Sequence, residues 1–151
     1  MDPVAVRFIP TGGETDEYKR AAFWIERQLA RYAENRYGMM ALIEKTSGEL
    51  MGQCGLMTQM VDDKSELEIG YHLLAKYWKH GYATEAAKAF RDFAFRNNLS
   101  ESLISIIDVE NYPSQNVAAR NGMKVDKKST FFDKDVLIYR ITRTEWMSLG
   151  E

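Results

Sequence analysis

The chain has 151 residues, 45% of them hydrophobic and 28% charged, with a formal net charge of −2, one cysteine and two histidines. That length fits one folding unit, residues 1–151, able to bury roughly 70% of its unfolded surface. A lone Cys54 excludes a disulfide framework and a cysteine zinc site, His72 and His80 are too few for a metal centre without carboxylate help, and the slightly acidic balance gives no field favouring nucleic acid.

No run reaches the ~18 apolar residues of a membrane span, and the N-terminus lacks a signal-peptide pattern, so a soluble cytoplasmic protein is expected. Val4 to Ile9 alternates weakly and predicts a short strand or an extended arm. Thr11-Gly-Gly-Glu14 has capping-box spacing, and a helix is predicted from Thr15 to Arg36 with Tyr18, Ala22, Ile25, Leu29 and Tyr32 as its buried stripe. Three strands follow, Met39–Glu44, Glu49–Met60 and Ser65–Leu74, joined by a turn at Thr46-Ser47-Gly48 and a loop at Val61–Lys64. Gly52 and Gly55 mark a bulge or a close backbone approach in the second of these. Short connections predict antiparallel pairing.

The period then becomes helical to about Asn97, with Ala83, Ala86, Ala87, Phe90, Phe93 and Ala94 as the buried stripe. Leu103–Val109 is a near-continuous apolar run suited to a strand covered on both faces. Ser114–Asn121 predicts a short helix closed by Gly122, and Met123–Val125 and Phe131–Ile141 predict closing strands. The order implies an α/β (α+β) fold, a mixed sheet with helices on its faces.

The chemistry concentrates between Glu68 and Ala87. A strand ends near Leu74, a short loop contains Gly81, and a helix begins near Ala83. Glycine admits a ligand close to the main chain, and the first helical N–H groups lack internal partners, so the junction suits a phosphate or pyrophosphate. Lys76, Lys79 and His80 could add positive charge, although an ordinary strand–loop–helix connection has the same composition.

Trp78-Lys-His-Gly81-Tyr-Ala83 resembles the acyl-CoA pyrophosphate loop of the GNAT superfamily of N-acetyltransferases, written (Gln/Arg)-x-x-Gly-x-(Gly/Ala). Glu68-Ile-Gly-Tyr71, Ala83-Thr-Glu-Ala86, Asn111-Tyr-Pro-Ser114, the run Ser114–Met123 and Tyr139–Trp146 resemble its RimJ/RimL-like branch. The chain departs from the pattern at Trp78, at Lys79 where glycine is frequent, and at Arg120 and Met123. The family's usual first strand and helix have no counterpart before the region matching Val4. An uncovered sheet edge, and with it a homodimer, is therefore expected.

The resemblance implies a mostly antiparallel sheet splayed at the acyl-CoA site, and transfer of an acetyl group from acetyl-CoA, the co-substrate, to an amine on a small molecule or peptide. Composition, charge and hydropathy lead to the expectation of no metal, nucleic acid or membrane partner. Main-chain groups around His72, Leu73 and Leu74 would pair with the pantetheine arm, and a bulge in that strand would expose an N–H to the thioester oxygen. N–H groups from Lys79, His80, Gly81, Tyr82, Ala83 and Thr84 would hold the pyrophosphate.

An ordinary amine with a pKa of ~10.4 is free about once in 2,500 at pH 7, so a positioned base matters. Glu68 matches the family's strand carboxylate, although Glu66 shares its face and strand glutamates are commonly solvated. A tyrosine common in relatives is Ala118 here, which leaves Ser114 to protonate the departing thiolate and Asn111 to orient the cofactor. Each has a structural alternative: Ser114 as a helix cap, Asn111 as a turn residue. Tyr71 and Tyr82 line the channel or pack, and Cys54 reads as a core thiol. A non-catalytic acyl-CoA-binding protein of the same fold is the competing reading.

Overall fold

The computed structural model describes residues 14–34 and 36–150; the segments Val4–Ile9 and Thr11–Gly13, where a first strand and a capping box were expected, lie outside them. Helix α1 (Glu17–Ala33) starts at Asp16, whose carboxylate accepts from the N–H groups of Tyr18 and Lys19 at 2.9 and 3.0 Å. Its expected stripe faces outward, with Tyr18 90%, Leu29 60% and Ile25 56% exposed, whereas Gln28 and Arg31 are buried. The reason lies in the surface beneath it. Gln28 Oε1 accepts from Met39 N at 2.9 Å and Trp24 Nε1 donates to Gln53 Oε1 at 3.0 Å, so the helix docks through hydrogen bonds. Periodicity identifies a helix; it does not choose the buried face when the partner surface is polar.

Strands β1 (Met39–Ile43), β2 (Leu50–Val61) and β3 (Lys64–Leu73) form the expected antiparallel meander. A 3₁₀ turn (Ala75–Tyr77) leads to α2 (Tyr82–Arg96), which crosses to β4 (Ser102–Asp108). Then come α3 (Tyr112–Arg120), β5 (Lys124–Phe131), β6 (Lys134–Thr142) and α4 (Arg143–Ser148). The six strands order β1-β2-β3-β4-β6-β5, with β3 and β4 the parallel pair.

Two boundaries differ from expectation. The closing strand does not run through Phe131–Ile141: Phe132 and Asp133 form a tight turn with φ of 48° and 58°, matching that of Asp62 and Asp63 between β2 and β3. Helix α4 was not expected, although Thr142 and Glu145 make a complete capping box, Thr142 N donating to Glu145 Oε2 at 2.9 Å and Glu145 N to Thr142 Oγ1 at 3.2 Å. Gly122 does close α3 in the left-handed region (φ 83°), with Met123 N on Ala118 O and Gly122 N on Ala119 O, both at 3.0 Å.

The main core lies between the sheet and α2, α3 and α4, built from Leu56, Ile69, Ala87, Ala94, Phe95 and Leu103 among others. Phe93, placed in the stripe by the sequence, is half exposed; Phe95 and the fully buried Arg91 take the inner positions. Arg91 is satisfied by Asp92 Oδ1 at 2.8 Å and Asn121 O at 3.1 Å, and Trp146 Nε1 donates to the same Asp92 oxygen. On the opposite face Val61, Ile104, Val136 and Ile138 form a second cluster. There the tip of the β2–β3 hairpin reaches β5, Asp62 accepting from Ser129 Oγ at 2.8 Å and pairing with Lys127 Nζ at 2.6 Å.

Candidate active site

Strands β3 and β4 meet at one rung, Glu68 opposite Ile104. Two contacts fix the main-chain directions beyond it. Ser105 Oγ donates to Ile69 O at 2.8 Å, so odd-numbered residues of β3 present their N–H and C=O toward β4. Leu74 N donates to Met51 O at 2.8 Å, so even-numbered ones face β2. The N–H and C=O of Tyr71 therefore point into the gap, whereas those of His72, opposite Gln53, belong to the β2 ladder. Leu73 O, on the gap side, accepts from Trp78 Nε1 at 2.8 Å.

The fork opens because side chains take the next rung. Ile69 O is held by the Ser105 hydroxyl, and Ile106 N lies 3.4 Å from Glu68 Oε1. No bulge is involved, which corrects the expectation of one in β3. Its pairing with β2 runs without a register shift from Val61–Lys64 to Gly52–Leu73, so the N–H of Tyr71 is freed by the strands parting rather than by an extra residue.

Because β3 and β4 are parallel, the helices that follow them begin at the same end of the sheet, the mouth of the fork. Gly81 is the N-cap of α2 with φ 88°, and Lys79 two residues earlier is also left-handed at 64°, a conformation that explains why glycine is frequent there. Among the described residues no side chain caps α2, and its first intrahelical bond is Glu85 N to Gly81 O at 3.0 Å. The first-turn N–H groups therefore lack intrahelical partners. A Cβ built on Gly81 would meet nothing within 4 Å among the described residues, so they leave the space above that turn open. His80 and Tyr82 stack beside it with ring centroids 5.8 Å apart. Ala83 and Thr84 are half-buried in the first turn, and Lys79 and His80 are exposed. Lys76 is instead tied to Glu49 at 2.7 Å.

The two glutamates on one face of β3 have opposite surroundings. Glu66 is gripped by Arg140 through two bonds of 3.0 and 2.8 Å, which hold its carboxyl below the ordinary range. Glu68 is buried, and burial pushes its carboxyl above that range against the pull of Gln59, Ile106 N and Arg31. Gln59 Nε2 donates to Glu68 Oε2 at 2.8 Å. Carboxylates driven apart in this way are how a site separates a structural anion from a proton acceptor.

At the second helix, Asn111 Oδ1 accepts from Ser114 N at 3.2 Å. The cap of α3 is thus Asn111, and the Ser114 hydroxyl is not spent on capping, which corrects the alternative reading of Ser114. Tyr71 bridges the fork to this helix, its hydroxyl donating to Ser114 O at 2.8 Å, and burial keeps the phenol neutral. Ala118 and Cys54 are fully buried in the core, and burial pushes the Cys54 thiol up to about 12. Gln59, Ser105 and Arg31 had no sequence signal as site residues; only the register that sets Gln59 across from Glu66 brings it near Glu68. Two surface clefts, one bounded by Tyr37, Thr58 and Leu99 and one by Tyr32, Met40 and Phe93, lie away from the mouth of the fork.

The arrangement of strands and sites has known counterparts. The Acetyltransferase (GNAT) domain profile matches residues 1–124. The protein YkkB of Bacillus subtilis is 34% identical over 108 residues, 70% of this chain and 63% of YkkB, so the chain spans less than two thirds of that relative's length. The N-acetyltransferase YnaD of the same species is 32% identical over 96% of this chain and 84% of its own. Among solved structures, an acetyltransferase from Agrobacterium tumefaciens superposes with a TM-score of 0.72 at 28% identity, covering 90% of this chain and 77% of that one. With a profile match over most of its length and an open fork where the resemblance required one, this chain belongs to the GNAT acetyltransferase domain family.

Proposed function

We propose that the chain transfers an acetyl group from acetyl-CoA to a primary amine, a protein N-terminus or a small-molecule amine, by direct attack in a ternary complex, as a RimJ/RimL-like member of its family. The observation that carries the reading is the fork itself, with its vertex at Glu68 and an uncapped helix start with open space at its mouth. When bound, acetyl-CoA supplies an acetyl carbon activated by its thioester.

The chain's own groups do the rest. N–H groups of His80 to Thr84 bind the pyrophosphate, reinforced by the dipole of α2. The Tyr71 N–H, directed into the fork, donates to the thioester oxygen as negative charge develops there. Glu68, buried at the vertex, takes the ammonium proton before attack; the freed lone pair then bonds to the thioester carbon, the carbon–sulfur bond breaks, and the second N–H proton of the new amide passes to the leaving thiolate. The Ser114 hydroxyl donates to the departing sulfur, and Asn111 holds the helix turn that presents it.

Calorimetry with acetyl-CoA tests the cofactor site. Wild type binds, and Gly81→Glu, which puts bulk and negative charge into the open space, loses at least about tenfold in affinity. Unchanged affinity in a folded variant overturns the site. Binding without transfer across a broad amine panel points instead to an acyl-CoA-binding protein without catalysis.

A further inference from the structure

Resting on the assignment of Glu68 as the base, we propose that Gln59 is a positioning residue for it, fixing one carboxylate oxygen so that the other stays in the gap between β3 and β4. The geometry is specific. Gln59 sits on β2 and pairs in register with Glu66, yet its amide reaches diagonally to Glu68, Nε2 to Oε2 at 2.8 Å. The second oxygen, Oε1, lies 3.4 Å from Ile106 N, which in a continued ladder would bond to Ile69 O. Glu68 therefore occupies the first missing rung with one oxygen and is tethered across the sheet by the other.

The tether is needed because little else holds the carboxylate. Glu68 is 8% exposed, so little of it reaches solvent. From α1 it faces Arg31, which is 7% exposed and whose Nη1 has no hydrogen-bond partner among the described residues. From its own strand it faces Glu66, already neutralised by Arg140 of β6, and the neutral phenol of Tyr71. From β4 the Ile106 N–H reaches its Oε1 at 3.4 Å. A donor aimed at an ionised oxygen stabilises the charged form by more than an ordinary hydrogen bond, and its loss leaves that oxygen desolvated. Removing the Gln59 amide thus lets the carboxylate turn and makes it a poorer acceptor in the neutral range.

The test is the pH profile of acetyl transfer to an amine, measured for wild type, Gln59→Met, Gln59→Asn and Glu68→Gln, with acetyl-CoA affinity followed by calorimetry. Gln59→Met keeps the side-chain length without the donor, and Gln59→Asn keeps an amide too short to reach. Both should move the rising limb of kcat/KM to higher pH by about one unit and lower kcat about tenfold at pH 7, with acetyl-CoA affinity kept. A merely structural role would lower thermal stability or affinity and leave the limb in place, and that result overturns the inference. If Gln59→Met fails to fold, Gln59→Asn decides alone by the same criterion. Loss of activity in Glu68→Gln with an unmoved limb in both Gln59 variants refutes only the tether; unaltered kinetics in Glu68→Gln refutes the base assignment beneath it.

Discussion

The two faces of the sheet are built on different principles. The face under α2, α3 and α4 is closed by apolar contact: Leu56, Ile69, Phe95 and Leu103 are at most 1% exposed, and polar groups among them such as Ser105 and Arg91 are tied to neighbours, Ser105 to Ile69 O and Arg91 to Asn121 O. On the other face, beside the apolar cluster of Val61, Ile104, Val136 and Ile138, helix α1 docks by polar contact, with Gln28 on Met39, Trp24 on Gln53, and Arg31 near the Glu68–Gln59 pair, while the apolar row of α1 looks outward. The first face holds the larger share of the core. The other carries the groups that can take a proton, and it spends stability to do so, since a buried carboxylate and a guanidinium with an unpartnered nitrogen are costly in a low dielectric.

Substitutions on either side should respond accordingly. On the apolar face, Phe95→Ala should cost about 3–5 kcal/mol in denaturant unfolding, because the stacked Trp146 ring, 5.2 Å away, cannot fill the gap. On the polar face, Glu68→Gln should do the reverse and stabilise by about 1 kcal/mol at pH 8, with activity lost. The sign follows from proton linkage. A carboxyl whose folded-state pKa lies above its ordinary value binds its proton more tightly folded than unfolded. Its contribution is therefore complete below the ordinary value and is lost as pH rises through the raised one. Unfolding of wild type and variant at pH 4 and pH 8 should show the gap opening only at the higher pH; a constant gap would mean that Glu68 is not strained by its charge. The smallest effect is expected at Leu29→Lys on the outward row of α1, within about 0.5 kcal/mol, where a buried stripe would lose several. A large loss there would put that row in contact with something and collapse the contrast between the faces.

The same contrast explains what could be read from the sequence. The meander, the crossover helix, the Leu103–Val109 run and the Gly122 cap were legible because apolar periodicity and glycine placement are written locally. The Gly81 loop was legible as a resemblance, and its left-handed Gly81 and Lys79 supply the physical reason for the motif. The orientation of α1 was not legible: Tyr18, Ile25, Leu29 and Tyr32 form a cleaner stripe than Trp24, Gln28 and Arg31, and only the polar surface of β2 reverses the choice. Nor was Gln59, whose reach to Glu68 depends on cross-strand register, or the parity that turns Tyr71 rather than His72 into the gap. Helix α4 was legible and overlooked, since Thr142-x-x-Glu145 stands openly in the chain.

The paired left-handed residues of the Lys79–Gly81 loop have a kinetic consequence. Freezing a residue into one backbone well costs roughly 1–2 kcal/mol, and here that outlay is met when the chain folds rather than when a nucleotide arrives. A diphosphate would dock onto a receptor already in shape, so its capture should be limited by encounter and its residence time by the strength of the grip alone.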